Sequence, residues 1–282
     1  KEQYKLKEIH KRSITGLIYT LLFLLSLKSF ISFTILIFVF GLISHAEFNK
    51  LIKQKGISSY IIFTLLFAFF SYYSYYFNSI DISNSFFNES IEILLVFSIF
   101  VLLFSIRDLF VTKDLPEFLT RKYINSVFYI SSSIIFIFLI GNYNNEYNPN
   151  LILGCFILVW VNDTFAFIVG SKIGRQKLFL SVSPKKTVEG FLGGLFFCSI
   201  CSLPIAKYIG ELNFTNWLII SIIISVFGTM GDLVESKYKR KSLVKDSGII
   251  LPGHGGLLDR LDSIMFASPF IYLFLKTFSN VS

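Results

Sequence analysis

Long apolar stretches, separated by short polar segments, run through the whole chain. A helix needs about 20 mostly apolar residues to cross about 30 Å of hydrocarbon, where it satisfies its own backbone hydrogen bonds. The pattern therefore predicts an all-α, polytopic integral membrane protein with about nine transmembrane helices. The predicted spans cover about residues 14–27, 29–44, 57–77, 91–106, 123–141, 151–169, 188–206, 217–234 and 263–278.

The basic residues favour this number of spans. The chain has 26 Lys and Arg, and with nine spans all of them except Lys28, Lys207 and Lys276 fall on one side of the membrane. Cytoplasmic loops are enriched in Lys and Arg. We therefore expect a multi-pass protein of the cytoplasmic (inner) membrane, with its N-terminus in the cytoplasm and its C-terminus outside.

Composition agrees with a membrane protein and argues against a nucleic-acid-binding one. Hydrophobic residues make up 54% of the chain and charged residues 16%, which lies outside the usual range of soluble proteins. The formal net charge is +8, but the basic residues are spread over short loops. We expect these residues to face anionic membrane lipids and not nucleic acid.

Ionisable residues divide the chain into two regions. Residues 1–150 hold almost no ionisable side chain at membrane depth, and we expect their five spans to form a scaffold. Residues 151–282 carry Asp163, Glu189, Asp232 and Glu235 at or near the cytoplasmic ends of spans six to eight. A charge at such depth costs on the order of a few kcal/mol, so each acid either forms a buried salt bridge or serves a function. Their clustering favours a catalytic region with cytoplasmic loops.

The spacing of the acids places them on helix faces. Residues three, four, seven and eight apart share one face of a helix. One such face is expected to hold Asp232, Glu235, Ser236, Lys239 and Arg240. Asp259 and Asp262 share a second face at the start of the last span. Carboxylates from two helices, with no Cys or His at ligand spacing, suit Mg²⁺ better than zinc.

A basic loop with hydroxyl groups precedes span seven, in the sequence SPKKTVEG. Ser183 and Thr187 supply hydroxyl groups, Lys185 and Lys186 supply charge, and Glu189 lies in the first turn of the helix. A basic loop that leads into a helix N-terminus is a typical anion site. The alternative is that the two lysines only reflect the bias of cytoplasmic loops.

A glycine-rich loop, PGHGG, precedes the last span. Gly255 and Gly256 allow close approach of the backbone, so their N–H groups are candidates for binding an anion. The alternative is an ordinary tight turn after Pro252. We expect His254 to contact a phosphate or to hold the loop rather than to bind metal.

These residues resemble the phosphatidate cytidylyltransferase family, also called CDP-diacylglycerol synthases. The resemblance covers about residues 150–282, including NDTFAFIVGSKIG and SPKKTVEG, and Tyr238 stands where the family usually has an aliphatic residue or Phe. The residues that match the signature are Ser236, Lys239, Arg240, Lys245, Asp246, Pro252, His254, Gly255, Gly256, Asp259, Arg260 and Asp262.

The resemblance implies that CTP and phosphatidic acid of the bilayer react to give CDP-diacylglycerol and pyrophosphate. It also implies a requirement for Mg²⁺ and a second, monovalent cation such as K⁺. We assign metal binding to Asp232, Asp259 and Asp262. The remaining catalytic candidates are Lys239, Arg240 and His254. The candidates for substrate binding are Asp163, Ser183, Lys185, Lys186, Thr187, Glu189, Ser236, Lys245, Asp246, Gly255, Gly256 and Arg260.

Two other functions are compatible with parts of the pattern. A CTP-dependent kinase or cytidylyltransferase acting on a polyprenyl-type lipid would share the metal and phosphate chemistry. A cation transporter would also place carboxylates in helices, but it leaves the two basic loops unexplained. The oligomeric state stays open, with a homodimer among the options.

Overall fold

The computed structural model describes residues 2–77, 85–111, 122–253 and 255–278, without the side chains of residues 2–13, 77 and 145. Helices make up most of these ranges. They are α1 (Glu2–Ser26), α2 (Phe30–Leu51), α3 (Ser58–Phe77), α4 (Ser85–Phe110), α5 (Lys122–Ile140), α6 (Pro149–Ile173), α7 (Val188–Tyr208), α8 (Phe214–Lys241) and α9 (Leu258–Phe278). Helices α5 and α8 each contain a π-helical segment, at Ser126–Ser131 and Ile224–Gly228.

The protein is an all-α polytopic membrane protein. Among the described residues, 7 helices are long and apolar enough to cross a membrane, namely α2 and α4–α9. Helix α1 adds a shorter apolar segment at Ile14–Ser26, and α3 occupies the position of the third predicted span. The apolar stretches of the sequence therefore coincide with helices.

Polar residues at the helix starts explain where several helices begin. The side chains of Ser29, Asn148, Thr187 and Asn213 each accept a hydrogen bond from a backbone N–H in the first turn of the helix that follows. Such N-caps satisfy donors that the helix itself leaves unpaired. Pro149 stands at the start of α6, where a missing N–H has no cost.

Polar contacts near the helix ends occur at both ends of the helix bundle. At one end, Lys122 Nζ donates to the Lys53 carbonyl (2.8 Å), and Lys237 forms an ion pair with Asp108 (2.6 Å). These four residues all lie on the side that the charge pattern assigns to the cytoplasm.

The opposite end shows the same grouping. Asn148 Nδ2 donates to Glu211 Oε2 (2.7 Å), and Lys276 pairs with Glu92 (2.7 Å). Tyr147 also donates its hydroxyl to the Leu27 carbonyl (3.0 Å). These contacts join residues that the predicted topology places on the other side of the membrane.

Helices α5 and α9 form the centre of the bundle. In the most apolar 18 residues of each of these two helices, 78% of the residues are buried, against 28–56% in the other candidate spans. Helix α9 packs against α5 and α8, and it begins directly after the glycine-rich loop. A residue in the first turns of α9 is therefore held by the best-packed part of the protein.

Helices α6 and α7 cross closely at glycines. A Cβ atom on Gly190 would lie 2.7 Å from the Ala166 carbonyl oxygen and 3.1 Å from Gly170 Cα. Real Cβ atoms are rarely found so close to a backbone atom, so the two helices approach each other only because both positions lack a side chain. Gly170 and Gly174 form a GxxxG step near the end of α6, and the close approach at Gly170 makes this step a helix-packing site.

The loop between α6 and α7 forms a short hairpin that the sequence analysis did not predict. Strand β1 (Lys177–Phe179) pairs antiparallel with β2 (Ser183–Thr187), with Lys177 opposite Thr187 and Phe179 opposite Ser183. The hairpin fixes the SPKKT segment against the start of α7. Phe179 packs edge-on against Phe110 of α4, with 5.0 Å between the ring centroids.

Replacing Gly190 by Ala is expected to destabilise the bundle. The new methyl group must push α6 away from α7, and overpacking of this kind costs about 1–3 kcal/mol. Gly228→Ala is the matched control, because its Cβ would lie 3.3 Å or more from its neighbours. Thermal unfolding in detergent should show a lower midpoint for Gly190→Ala than for Gly228→Ala. Equal midpoints would contradict the close crossing.

Candidate active site

Three carboxylates meet between the end of α8 and the start of α9. One oxygen each from Asp232, Glu235 and Asp262 lies within 4.8 Å of the others. Glu235 is fully buried and Asp262 nearly so. The spacing of Asp232 and Glu235 on α8 points both side chains to one place, as the helical period requires. The repulsion among three such groups calls for compensating positive charge.

Lys239 supplies part of that charge. Its Nζ atom lies 3.0 Å from Glu235 Oε2, one turn earlier on α8, and 2.7 Å from Asp259 Oδ1 on α9. The lysine is itself buried. It therefore links the two helices that carry the acidic residues.

Asp259 also organises the glycine-rich loop. Its Oδ2 atom accepts hydrogen bonds from the backbone N–H groups of Ser247 (2.9 Å) and Gly256 (2.8 Å). Gly255 adopts a φ of +90°, a conformation that favours glycine, and a Cβ there would lie 2.8 Å from Asp259 Oδ2. Both oxygens of Asp259 thus accept from donors of the protein itself. The assignment of Asp259 as a metal ligand stays a prediction.

Lys186 brings the hairpin to the acidic residues. The side chain of Lys186, on β2, forms an ion pair with Asp232 Oδ2, and Ser236 donates to Asp232 Oδ1 (3.2 Å). Thr187 follows directly and caps α7 by accepting from Gly190 N–H (3.1 Å). The SPKKT segment and the α8 face, far apart in sequence, therefore belong to one site.

A cavity of about 560 Å³ joins these groups. Its described wall comes from α6, the hairpin, α7, α8, α9 and Asp246 between α8 and α9. The predicted site residues in this wall are Asp163, Lys185, Lys186, Thr187, Asp232, Lys239, Asp246, Asp259, Arg260 and Asp262. The apolar part of the wall includes Ala166, Phe167 and Phe191. One space is thus lined with both charged and apolar groups.

A second cavity of about 510 Å³ adjoins the first. Asp246 and Arg260 line both cavities, and Lys245, Gly253 and Gly255 line the second alone. A ligand that extends from one cavity to the other would pass Arg260. The glycine-rich loop forms a wall of this second space.

Several predicted site residues lie outside the wall of the larger cavity. Arg240 is exposed and donates to the Val244 carbonyl (3.1 Å), so it closes the end of α8 instead of lining the larger cavity. Ser183 pairs within the hairpin. Glu189 accepts from Gln176 N–H (3.1 Å) and secures the turn before β1. His254 lies outside the described residues.

Glu235 is the acidic residue that the assignment of site residues left out. It shares a helix face with Asp232 in the sequence, yet it lies just before Ser236, the first position of the family signature. The signal that identifies it is helical spacing together with burial. Only the structure shows that its carboxylate, and not that of Asp259, lies in the group with Asp232 and Asp262.

The residues at this site fit a hard divalent cation. Glu235 Oε1 is buried and has no hydrogen-bond partner among the described residues, and an unpartnered buried carboxylate oxygen is costly. Within the described wall of the larger cavity, five aspartates stand against four basic side chains, namely Lys185, Lys186, Lys239 and Arg260. Oxygen ligands of this kind suit Mg²⁺. The lining is thus slightly acidic and would need added cations to hold a polyanion.

Comparison with known proteins gives consistent matches. Residues 10–278 match the cytidylyltransferase family. The chain is 35% identical over 277 residues to the phosphatidate cytidylyltransferase of Bacillus subtilis (strain 168), which covers 96% of this chain and 99% of that protein.

Staphylococcal relatives match a shorter part more strongly. The identity is 50% over 127 residues to the phosphatidate cytidylyltransferase of Staphylococcus aureus (strain COL), and 52% over 126 residues to that of Staphylococcus saprophyticus. Each of these matches covers 44% of this chain and 48% of the relative, so the matched segment spans about half the length of these relatives. The family match extends over nearly all the described residues, and the chain belongs to the cytidylyltransferase family.

Proposed function

We propose that this chain is a phosphatidate cytidylyltransferase, which converts CTP and phosphatidic acid to CDP-diacylglycerol and pyrophosphate in phospholipid biosynthesis. The observation that carries the proposal is the larger cavity, whose wall holds Asp232 and Asp262 of the acidic cluster together with basic residues of the hairpin and of α8 and α9. The names of the relatives agree with this reaction. No observation on the described residues favours either alternative, a polyprenyl-type lipid substrate or cation transport.

The proposed reaction joins two anions. An oxygen of the lipid phosphate attacks the α-phosphorus of CTP and forms a new P–O bond. The bond from that phosphorus to the oxygen bridging to the β-phosphate breaks, and pyrophosphate leaves with the electron pair. The protein does not have to form a covalent intermediate, so its contribution is positioning and neutralisation of charge.

The basic residues of the cavity would neutralise these phosphates. Lys185 is exposed in the wall and Lys186 follows it on β2, so both are placed to meet phosphate oxygens. Arg260 lines both cavities and would reach a ligand that spans them. Lys239 is held between Glu235 and Asp259, so its charge is fixed in place before a substrate binds.

The expected cofactor is Mg²⁺, with K⁺ as a second, monovalent cation. Asp232, Glu235 and Asp262 are the residues whose geometry suits a divalent ion. When bound there, Mg²⁺ would polarise phosphate oxygens and offset their negative charge. Asp259 keeps a supporting role in this proposal, because it lies outside the group of three carboxylates and its oxygens accept from Lys239, Ser247 and Gly256.

The substrates fix the location that the enzyme needs. Phosphatidic acid lies in the bilayer and CTP is dissolved in the cytoplasm, so we propose nine spans in the cytoplasmic membrane with the N-terminus and the active site on the cytoplasmic side. The C-terminus would then lie outside. In this arrangement residues 1–150 serve mainly as scaffold and residues 151–282 carry the chemistry.

Purified protein in mixed micelles is expected to form labelled CDP-diacylglycerol from labelled CTP and phosphatidic acid when Mg²⁺ is present. EDTA should abolish the product, and excess Mg²⁺ should restore it. Assaying a polyprenyl phosphate in place of phosphatidic acid distinguishes this function from the alternative with a polyprenyl-type substrate. Product from the polyprenyl phosphate alone would contradict the proposal.

Asp262→Asn is expected to lower the rate of this reaction by about 100-fold or more, because it removes a charge from the cation site. Asp108→Asn is the matched control. Asp108 lies at the same end of the bundle and pairs with Lys237, but it is outside the wall of the larger cavity. Equal rates for the two folded variants would show that the acidic cluster is not the catalytic centre.

Single cysteines are expected to report the proposed orientation. In a chain with Cys155, Cys198 and Cys201 replaced by Ala, a cysteine at Glu146 should react with a membrane-impermeant maleimide in intact cells. A cysteine at Lys55 should react only after permeabilisation. Both positions are exposed, so lack of access would reflect the membrane. The reverse pattern would contradict a cytoplasmic active site.

A further inference from the structure

A buried glutamate of the scaffold contacts the loop that precedes α9. Glu47 lies on α2 and is 1% exposed. More than 200 residues separate it in sequence from Leu257 and Leu258, whose backbone N–H groups donate to its carboxylate at 3.2 Å and 2.8 Å. Ser247 Oγ donates to the same carboxylate (3.3 Å). One side chain of α2 thus binds both ends of the segment 247–258.

These donors explain why a carboxylate stands there. The first N–H groups of a helix have no partner within the helix, and a negative charge near them is favourable. Leu258 is the first residue of α9, so Glu47 supplies acceptors for N–H groups at the start of this helix. Burial makes the contact strong, because water does not compete for the same donors.

The loop is shaped to receive this side chain. A Cβ atom on Gly256 would lie 2.6 Å from Glu47 Oε2, and one on Gly248 would lie 2.7 Å from Glu47 Cδ. Both positions therefore need glycine for the carboxylate to enter. This gives the loop glycines a role besides contact with an anion.

The segment that Glu47 holds also contacts the acidic residues of α9. Ser247 and Gly256, which both lie in the segment held by Glu47, donate their backbone N–H groups to Asp259. Asp259 in turn pairs with Lys239, and Asp262 lies one helical turn further along α9. Glu47 lines neither of the two cavities that hold the site residues.

We propose that Glu47 is a positioning residue for the cytidylyl transfer: its carboxylate fixes the loop 247–258 and the first turn of α9, and so places Asp259 and Asp262 in the cavity. The inference rests on the proposed function for its kinetic consequence, but not for the contact itself. It assigns the N-terminal scaffold a direct part in building the active site.

Glu47→Gln is the decisive variant. It keeps the size of the side chain but replaces one acceptor oxygen by an NH₂ group that faces N–H donors. Amide exchange of the segment 246–258 should become faster, while exchange in α4 and α5 stays as in the wild type. The kcat should fall by about 10- to 100-fold, as for other residues that orient a catalytic group. The KM for CTP should change much less.

Asn49→Ala provides the control on the same helix. Asn49 is buried and donates to Ser59 Oγ (2.8 Å), so its loss weakens the contact between α2 and α3 without touching the loop. It should lower the unfolding temperature without changing loop exchange or the kcat of the folded protein. If Glu47→Gln does not fold, Ser247→Ala takes its place, and faster exchange in 246–258 is again expected.

The outcomes separate the two proposals. Wild-type exchange at 246–258 in the folded Glu47→Gln protein, or in Ser247→Ala where that variant replaces it, would overturn the positioning role. So would a kcat for Glu47→Gln that matches Asn49→Ala. If the wild-type protein lacked activity on CTP and phosphatidic acid, the proposed function would fail, and the exchange measurement would still decide whether Glu47 holds the loop.

Discussion

The structure depends on the need to compensate carboxylates buried between membrane helices. Asp232, Glu235 and Asp262 lie within 4.8 Å of one another, in surroundings where an uncompensated charge is expensive. Lys186 and Lys239 provide part of the compensation, and each comes with its own structural demand. The ion pair of Lys186 requires the hairpin to lie against α8. The ion pair of Lys239 requires the end of α8 and the start of α9 to lie side by side. The shape of the cavity follows from these pairings.

The scaffold contributes more to this arrangement than its apolar sequence indicates. Contacts cross the boundary at residue 150 where α4 meets α8, through Asp108 and Lys237, and where α2 meets the loop before α9, through Glu47. The central position of α9 between α5 and α8 adds packing around the helix that carries Asp259 and Asp262. Such rigidity would favour the proposed reaction between two anions, because a fixed arrangement of charges does not have to reorganise during the reaction.

Much of the fold could be predicted from the sequence, because apolar length and the bias of basic residues both report the membrane. The grouping of site residues could be predicted only in part. The helical period joins Asp232 to Glu235, and a family signature marks Asp259 and Asp262, but neither shows that Lys239 engages Asp259. The β1–β2 hairpin and the turn at Arg240 depend on contacts beyond the local sequence. Glu47 gave no local signal, since its partners are backbone N–H groups far along the chain.

The central claim is that Asp232, Glu235 and Asp262 hold a divalent cation, and binding of Mn²⁺ to the purified protein tests it most directly. Electron paramagnetic resonance of free Mn²⁺ measures the affinity without any substrate. The account predicts a saturable site that Mg²⁺ displaces, that Glu235→Gln weakens by tenfold or more (about 1.4 kcal/mol for each factor of ten), and that Asp108→Asn leaves unchanged. Equal Mn²⁺ affinity in the wild type and Glu235→Gln would contradict it.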